Sequence, residues 1–436
     1  MSIERRRGFL RRSATAAAAA SALVHSSVEA RVREVRKLRL GAIGCGGQGT
    51  SLLKTFAQMP DVELAYVCDP DDARGAKAAE AVKGHAEPKV VRDLRTILDD
   101  ASIDAVTVAT PDHWHGPATL LALAAGKHVY VEKPCSHNLR EGRLMVEAAA
   151  AAGRVVQVGT QARSTAFIAQ VFDKLRQGAI GEVLAAKAWN SQRRKDIGRM
   201  QPSEAPAGFD YDLWVGPAPM VPFQANRHHY TWHWWYDFGT GDGGNDGVHE
   251  IDVARWGLGV DTHPARITAL GGKLGFDDDQ QFPDTQYAVF QWDTAGGAAA
   301  KQLIFEMRIW SPYRQEGYEN GCAFYGRDGM LLLGKGEGYK LFGPKNTLIE
   351  EKSGTVDTQA HRRNFIDCVL SGAKPNADIT VGHLSASLCH LANIATRTGR
   401  TLRFDGSHEQ VVADDEANAL IRRTYRDGHW AVPKGV

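Results

Sequence analysis

The 436-residue chain is short of the features that tie a protein to a metal, a membrane or a polyanion. Its six cysteines (Cys45, Cys68, Cys135, Cys322, Cys368 and Cys389) form no CxxC pair and no metal-like spacing, so neither a disulfide scaffold nor a thiolate metal centre is expected. Reduced, buried thiols are the expectation. Charge of either sign is almost absent as an excess, with 52 Lys and Arg against 51 Asp and Glu and a formal net charge of +1. That balance offers no electrostatic footprint for nucleic acid. The chain has no internal repeats, and its apolar run Ser13 to Val24 is too short for a stable membrane span. What remains is an ordinary globular composition, 43% hydrophobic and 24% charged, long enough for two domains.

Charge is uneven along the chain. Residues 1–30 hold five Arg and two Glu, which leaves the rest with a formal charge of −2. Arg5-Arg6-Arg7-Gly8-Phe9-Leu10-Arg11-Arg12 is a twin-arginine pattern, the Ala-rich run Ser13 to Val24 follows it, and Val28-Glu29-Ala30 offers a small-residue cleavage site. Residues 1–30 therefore read as a signal segment, and the expected location is periplasmic or otherwise extracytoplasmic. Export in the folded state suits a chain that must load a cytosolic cofactor first.

The stretch that organises the rest is Lys37 to Asp69. Leu38, Leu40, Ala42 and Ile43 form a short β-run that feeds into Gly44-Cys45-Gly46-Gly47-Gln48-Gly49, and Ser51 to Gln58 reads as helix. In this spacing Gly44 allows the tight turn, Gly46 lets the backbone approach a pyrophosphate, and Gly49 lets the helix pack on the strand. Gly47 and Gln48 complete the loop. The second strand, Val62 to Cys68, ends at Asp69, where a carboxylate would take the adenosine ribose hydroxyls. Asp69, Asp71 and Asp72 would repel a 2′-phosphate, so NAD is expected over NADP, with Arg74 nearby as the opposing charge.

Strands and helices alternate to about residue 160. A helix is expected over Ala73 to Val82, a strand over Pro88 to Arg92, and a buried strand over Ile103 to Thr110. The latter runs into Pro111-Asp112-His113-Trp114-His115, a helix from Pro117 to Ala125, and Gly126-Lys127-His128-Val129 through Glu132-Lys133-Pro134. The pattern predicts a doubly wound parallel sheet over residues 31–160. From residue 161 the texture changes to alternating β-segments near Gly181 to Trp189, Arg266 to Leu270, Thr285 to Trp292, Lys301 to Glu306, Gly321 to Tyr325 and Met330 to Leu333. Closing helices are expected over His361 to Leu370 and His383 to Arg400. Residues 161–436 thus predict an α+β domain with a large, mainly antiparallel, open-faced sheet.

The motifs Gly44-x-Gly46-x-x-Gly49, Thr110-Pro111-Asp-x-x-His115, Gly126-Lys-His-Val and Glu132-Lys133-Pro134, in this order and spacing, resemble the Gfo/Idh/MocA family of NAD(P)-dependent oxidoreductases. The resemblance extends over nearly all of the chain after residue 30. It implies cofactor contacts by the glycine loop, Asp69, Thr110, Pro111, His115, Glu132 and Lys133, with Lys133 where nicotinamide and reacting carbon meet. It also implies that the second domain binds substrate and joins copies of the chain into a dimer or tetramer.

Asn226 to Phe238 is rich in His, Trp and Tyr, and it runs into a Gly-rich turn and Asn245-Asp246-Gly247-Val248-His249. The turn resembles the family's entry into the helix that carries a catalytic histidine, and His249 falls on that position. As a base, His249 would take the hydroxyl proton while hydride leaves the adjacent carbon. The family often has Asp four residues earlier. Here Asn245 stands there, so Asp252 and Asp242 become candidates to orient the histidine. Tyr230, Trp232 and Trp234, with Trp235 and Tyr236, suggest either a stacking platform for a sugar ring or core and interface packing. Arg163 joins the substrate set. His229, His233 and Asp237 share an i, i+4, i+8 spacing, yet so many bulky aromatics disfavour a regular helix and no metal is expected.

The expected protein is an NAD-dependent enzyme acting on CH–OH carbons of a sugar, glycoside or cyclic polyol. Two readings compete with it: glycoside cleavage through transient oxidation, elimination and re-reduction, and a nucleotide- and sugar-binding protein without turnover.

Overall fold

The structure, a computed structural model, describes residues 36–294, 296, 299–311 and 313–436. The proposed signal segment lies outside them. Residues 39–436 form one unit.

The first sheet has six strands, β1 (Leu38–Ile43), β2 (Val62–Cys68), β3 (Lys89–Val91), β4 (Ala105–Val108), β5 (His128–Val131) and β6 (Val156–Val158), in the order β3-β2-β1-β4-β5-β6. The β1–β4, β4–β5, β5–β6 and β2–β3 pairs are parallel. Ile43, Val106, Val108, Val129 and Val131 are buried between helices on both faces, as uninterrupted apolar runs require. Strand order reverses between β1 and β4. Their carboxyl ends splay there and open a crevice, the place where such sheets bind ligands.

The helix after β4 spans Asp112–Ala124, beginning five residues before the expected start, so Pro117 lies inside it. Proline there cannot donate to the carbonyl of His113. The Arg423 guanidinium, from the C-terminal segment, donates to that oxygen instead at 2.7 Å.

The second sheet comprises β7 (Val183–Asn190), β8 (Arg266–Gly272), β9 (Thr285–Asp293), β10 (Ala299–Arg308), β11 (Asn320–Gly326), β12 (Met330–Gly334), β13 (Gly338–Phe342), β14 (Leu348–Lys352), β15 (Leu402–Asp405) and β16 (Gln410–Val411), in the order β14-β13-β12-β11-β7-β10-β9-β8-β15-β16. β7 and β10 pair in parallel, and the other recorded pairs are antiparallel. The helices Val248–Leu258 and Ile379–Thr398 pack on one face. On the other, Leu270, Tyr287, Val289 and Tyr325 stay exposed at positions that the register places on the same side.

The chain then returns to the first domain. Arg362, on the helix Thr358–Ser371, donates to the Ser51 carbonyl at 3.0 Å and to Ser51 Oγ at 2.9 Å on the helix Gly47–Phe56. A buried cluster ties the end of the chain down: Glu409 accepts from His263 at 2.8 Å, His383 at 2.7 Å and Arg143. These hydrogen bonds outweigh burial and hold its carboxyl far below the usual range. All six cysteines are buried and free.

Candidate active site

A cavity of about 610 Å³ opens at the β1/β4 crevice and runs to the second domain. Its floor is the glycine turn. Gly44 has φ +88°, and a Cβ there would stand 2.5 Å from the Ala109 carbonyl oxygen; one on Gly49 would stand 2.0 Å from that of Gly44. No larger residue fits at either position. Gly46 caps the helix Gly47–Phe56 with no side-chain acceptor and no acidic residue in its first turn, so these N–H groups face the cavity beside Gly44, Gly47 and Gln48. This is a cradle a dinucleotide pyrophosphate fits.

Asp69 lines the cavity at the end of β2. One carboxylate oxygen accepts from the Cys45 N–H at 2.8 Å and the other from the Asp71 N–H at 3.0 Å, while burial raises its pKa. The neighbouring acids are occupied elsewhere. Asp71 caps the helix Asp72–Glu80 and pairs with His229 at 2.9 Å, and Asp72 pairs with Arg92. Of these acids Asp69 is the one on the cavity wall, with Arg74 beside it. Asp69→Ala should weaken NAD binding by about tenfold or more, the worth of one hydrogen bond to a charged group, and NADP much less. Titrations with both nucleotides check this. An unchanged NAD to NADP ratio would remove Asp69 from the ribose.

The far end of the cavity joins the two domains. Lys133 Nζ donates to the backbone carbonyl of Asn245 at 2.5 Å. Glu132, beside it, accepts from Gln48 Nε2 at 2.7 Å, and burial raises its pKa. Asp112 lies behind the lysine, accepts from Thr240 Oγ1 at 2.6 Å, and is pushed up by burial to about 7. The His115 ring lies between the carbonyls of Pro134 (2.7 Å) and Thr110 (2.9 Å) and, held neutral by burial, donates to one of them, which places the Pro111 loop against the lysine segment.

A π-turn over Gly243–Gly247 delivers the helix Val248–Leu258, and His249 in its first turn faces the cavity. Burial, then the Lys335 and Lys133 cations, drive its pKa well below the ordinary 6.5, with Asp246 opposing. The imidazole is thus neutral and able to accept a proton. Asn245 donates to Asp242 Oδ1 at 2.9 Å, and Arg194 pairs with the same oxygen at 3.1 Å. Tyr230 and Trp232 complete the wall.

A model of an oxidoreductase family with an NAD-binding Rossmann fold matches residues 38–160, and one of that family's C-terminal alpha/beta domain matches residues 186–292 and 331–432. The chain belongs to the Gfo/Idh/MocA oxidoreductase family. It is 30% identical over 272 residues to inositol 2-dehydrogenase 2 of Saccharopolyspora erythraea, spanning 62% of this chain and 66% of that one. It is 25% identical over 388 residues to scyllo-inositol 2-dehydrogenase (NAD(+)) of Bacillus subtilis, spanning 85% and 97%. A levoglucosan dehydrogenase solved with NADH shares the fold, with a TM-score of 0.65 at 18% identity over 84% of this chain and 98% of that one.

Against this Gfo/Idh/MocA frame several sequence expectations need correction. Arg163 is absent from the cavity wall. It forms a two-pronged pair with Asp252 at 2.9 and 2.8 Å, beneath Trp256, because a buried carboxylate needs a charged partner. Asp252 is consumed by that pair and by Ser385, so it does not orient His249, and Asp242 orients Asn245 instead. Trp234 and Trp235 are core residues, 2% and 8% exposed, while Trp232 and Tyr230 reach the cavity. By contrast, the irregular backbone expected around His229, His233 and Asp237 is what forms, with only a 3-10 turn at Thr231–Trp234.

The adenosine end holds Trp214 and Trp430, which no sequence motif marks, and His229 in a place its spacing did not suggest. The Asp72 N–H donates to the Gly208 carbonyl at 3.0 Å and the Asp210 N–H to Pro70 at 2.9 Å, which lays a strap across the nucleotide side. Trp214 and His229 from that strap and Trp430 from the C-terminal segment line the cavity. Trp430 carries no motif; its only signal was an unassigned aromatic far from every other site residue.

Proposed function

We propose that the chain transfers hydride between a CH–OH carbon of a sugar or cyclic polyol and a nicotinamide held in this cavity. The observation that carries it is the meeting of Lys133 and His249 on one cavity that begins at the glycine cradle. Bound NAD supplies the hydride acceptor. His249, neutral, takes the hydroxyl proton; the Lys133 ammonium, fixed by the Asn245 carbonyl, steadies the charge on that oxygen. The Asn245 side chain, set by Asp242, is a hydrogen-bonding group for a second hydroxyl and carries no charge. The names of the relatives, two inositol dehydrogenases and a levoglucosan dehydrogenase, support a hydroxylated ring as substrate.

The twin-arginine segment supports export, and export requires that the cofactor travel with the protein. The strap and Trp430 on the cavity wall favour retention. Passing through desalting at micromolar concentration needs more than about 8 kcal/mol of binding. The exposed row of Leu270, Tyr287, Val289 and Tyr325 supports self-association through the open sheet face, which light scattering tests.

The deciding experiment is mass spectrometry of the desalted protein and its released cofactor after incubation with sugars, inositols and glycosides. Keto-product with NADH is the expected result. A released aglycone with unchanged NAD would favour the elimination cycle, and no conversion would leave a binding protein. Emergence as apoprotein that works only with added NAD would sink the retained-cofactor and export reading.

A further inference from the structure

Behind His249 lies a second chamber of about 400 Å³. It shares Gln161, His249 and Thr358 with the main cavity, so the histidine stands at the threshold between the two. Its walls are mainly apolar, from Ile168, Val253, Leu333 and Val356. One acid breaks that surface next to the threshold. Glu250 is 3% exposed; its Oε1 stands 3.4 Å from Lys335 Nζ, and its Oε2 has no partner. Lys335 is in turn committed to Asp246 at 2.6 Å.

A buried carboxyl oxygen without a partner, lining an empty-sided space, calls for a donor or acceptor brought in from outside. A free sugar or inositol does not fully suit the chamber, because hydroxyls directed at Ile168, Val253, Leu333 and Val356 would find no partner there, away from Gln161, Thr355 and Thr358. An apolar group attached to a sugar does. We propose that the chamber is a subsite for the aglycone of a glycoside, with the oxidised ring between Lys133 and His249 and Glu250 hydrogen-bonded to the oxygen that links ring and aglycone.

This rests on the oxidoreductase reading and narrows its substrate to glycosides with an apolar or aryl substituent. Burial pushes Glu250 up to about 8, against the pull of Lys335, so the acid holds a proton to donate in neutral solution. The linking oxygen of a glycoside is an acceptor.

The test uses the cofactor-loaded protein with matched phenyl glycosides and free sugars of the gluco, galacto, manno and 2-acetamido series. Nicotinamide reduction gives kcat/KM, and calorimetry gives the dissociation constant of each phenyl glycoside. The expected result is a preference of at least about tenfold for a phenyl glycoside over its free sugar. Val356→Trp, on an irregular, half-buried segment of the wall, should collapse that preference toward unity and weaken phenyl glycoside binding. Val253→Phe, one turn after His249, provides an independent block should the first variant lose its bound cofactor or its fold. Equal use of glycosides and free sugars by the unmodified protein, or a preference untouched by both variants, overturns the subsite alone. No nicotinamide reduction with any sugar overturns the oxidoreductase reading and the subsite with it.

Discussion

Lys133→Met should lower turnover by about 10²-fold or more while leaving the fold and the cofactor content unchanged. Methionine keeps the length and apolar stem of lysine and removes the charge. The ammonium makes one hydrogen bond, to the Asn245 carbonyl, and that carbonyl can turn to water in the open cavity. Little stability is therefore at stake. What disappears is the cation beside the oxygen whose proton is leaving, in a site where burial makes each charge count for more than in water. Single-turnover reduction of the bound nicotinamide measures the chemical step, and released cofactor measures loading. Near-normal turnover with full loading would take Lys133 out of the reaction.

His249→Asn should produce a loss of similar size, because asparagine keeps a polar group at the threshold and cannot accept the proton. The pH dependence gives a sharper test. A histidine acting as base works in its neutral form, so activity falls as pH drops through its pKa. With burial, Lys335 and Lys133 all lowering that pKa, and Asp246 opposing, the acid limb of kcat should lie well below 6.5. Lys335→Met removes one of the lowering charges, while Asp246 keeps Arg194 at 3.6 Å. Losing that cation raises the pKa of His249, so the acid limb should move to higher pH. A limb that stays in place, or moves down, would show that His249 is not the group being titrated. The variant will also lose some stability, less than the about 3–5 kcal/mol of a fully buried pair because the Lys335 side chain is one-third exposed, so the profile should be taken where folding is complete by circular dichroism.

Asn245 has a different standing. Where relatives often place a carboxylate, this chain keeps the charge one turn earlier, at Asp242, and neutralises it with Arg194. The hydrogen bond from Asn245 therefore aims a neutral side chain at the cavity. A relay of protons through position 245 has no carboxylate to use.

The sequence by itself determined the first sheet, the glycine cradle and the end of β2 just before Asp69. All of these are written in contiguous residues, because tight turns, apolar runs and capping obey local sterics and short periods. β13–β16 were not foreseen; β13 and β14 have mixed, partly exposed patterns, and β15 and β16 are four and two residues long. Only the tertiary structure decided which distant side chains meet. Lys133 reaches Asn245 across 112 positions, and Arg163 finds Asp252 across 89, a pairing that removed both from the roles their local context suggested. The same holds for Trp234, drawn into the core while Trp232 reached the cavity, and for Trp430, brought back over the adenosine end. A pattern in sequence sets which face of an element is apolar. The order and register of the strands set what that face touches, and no local signal carries that information.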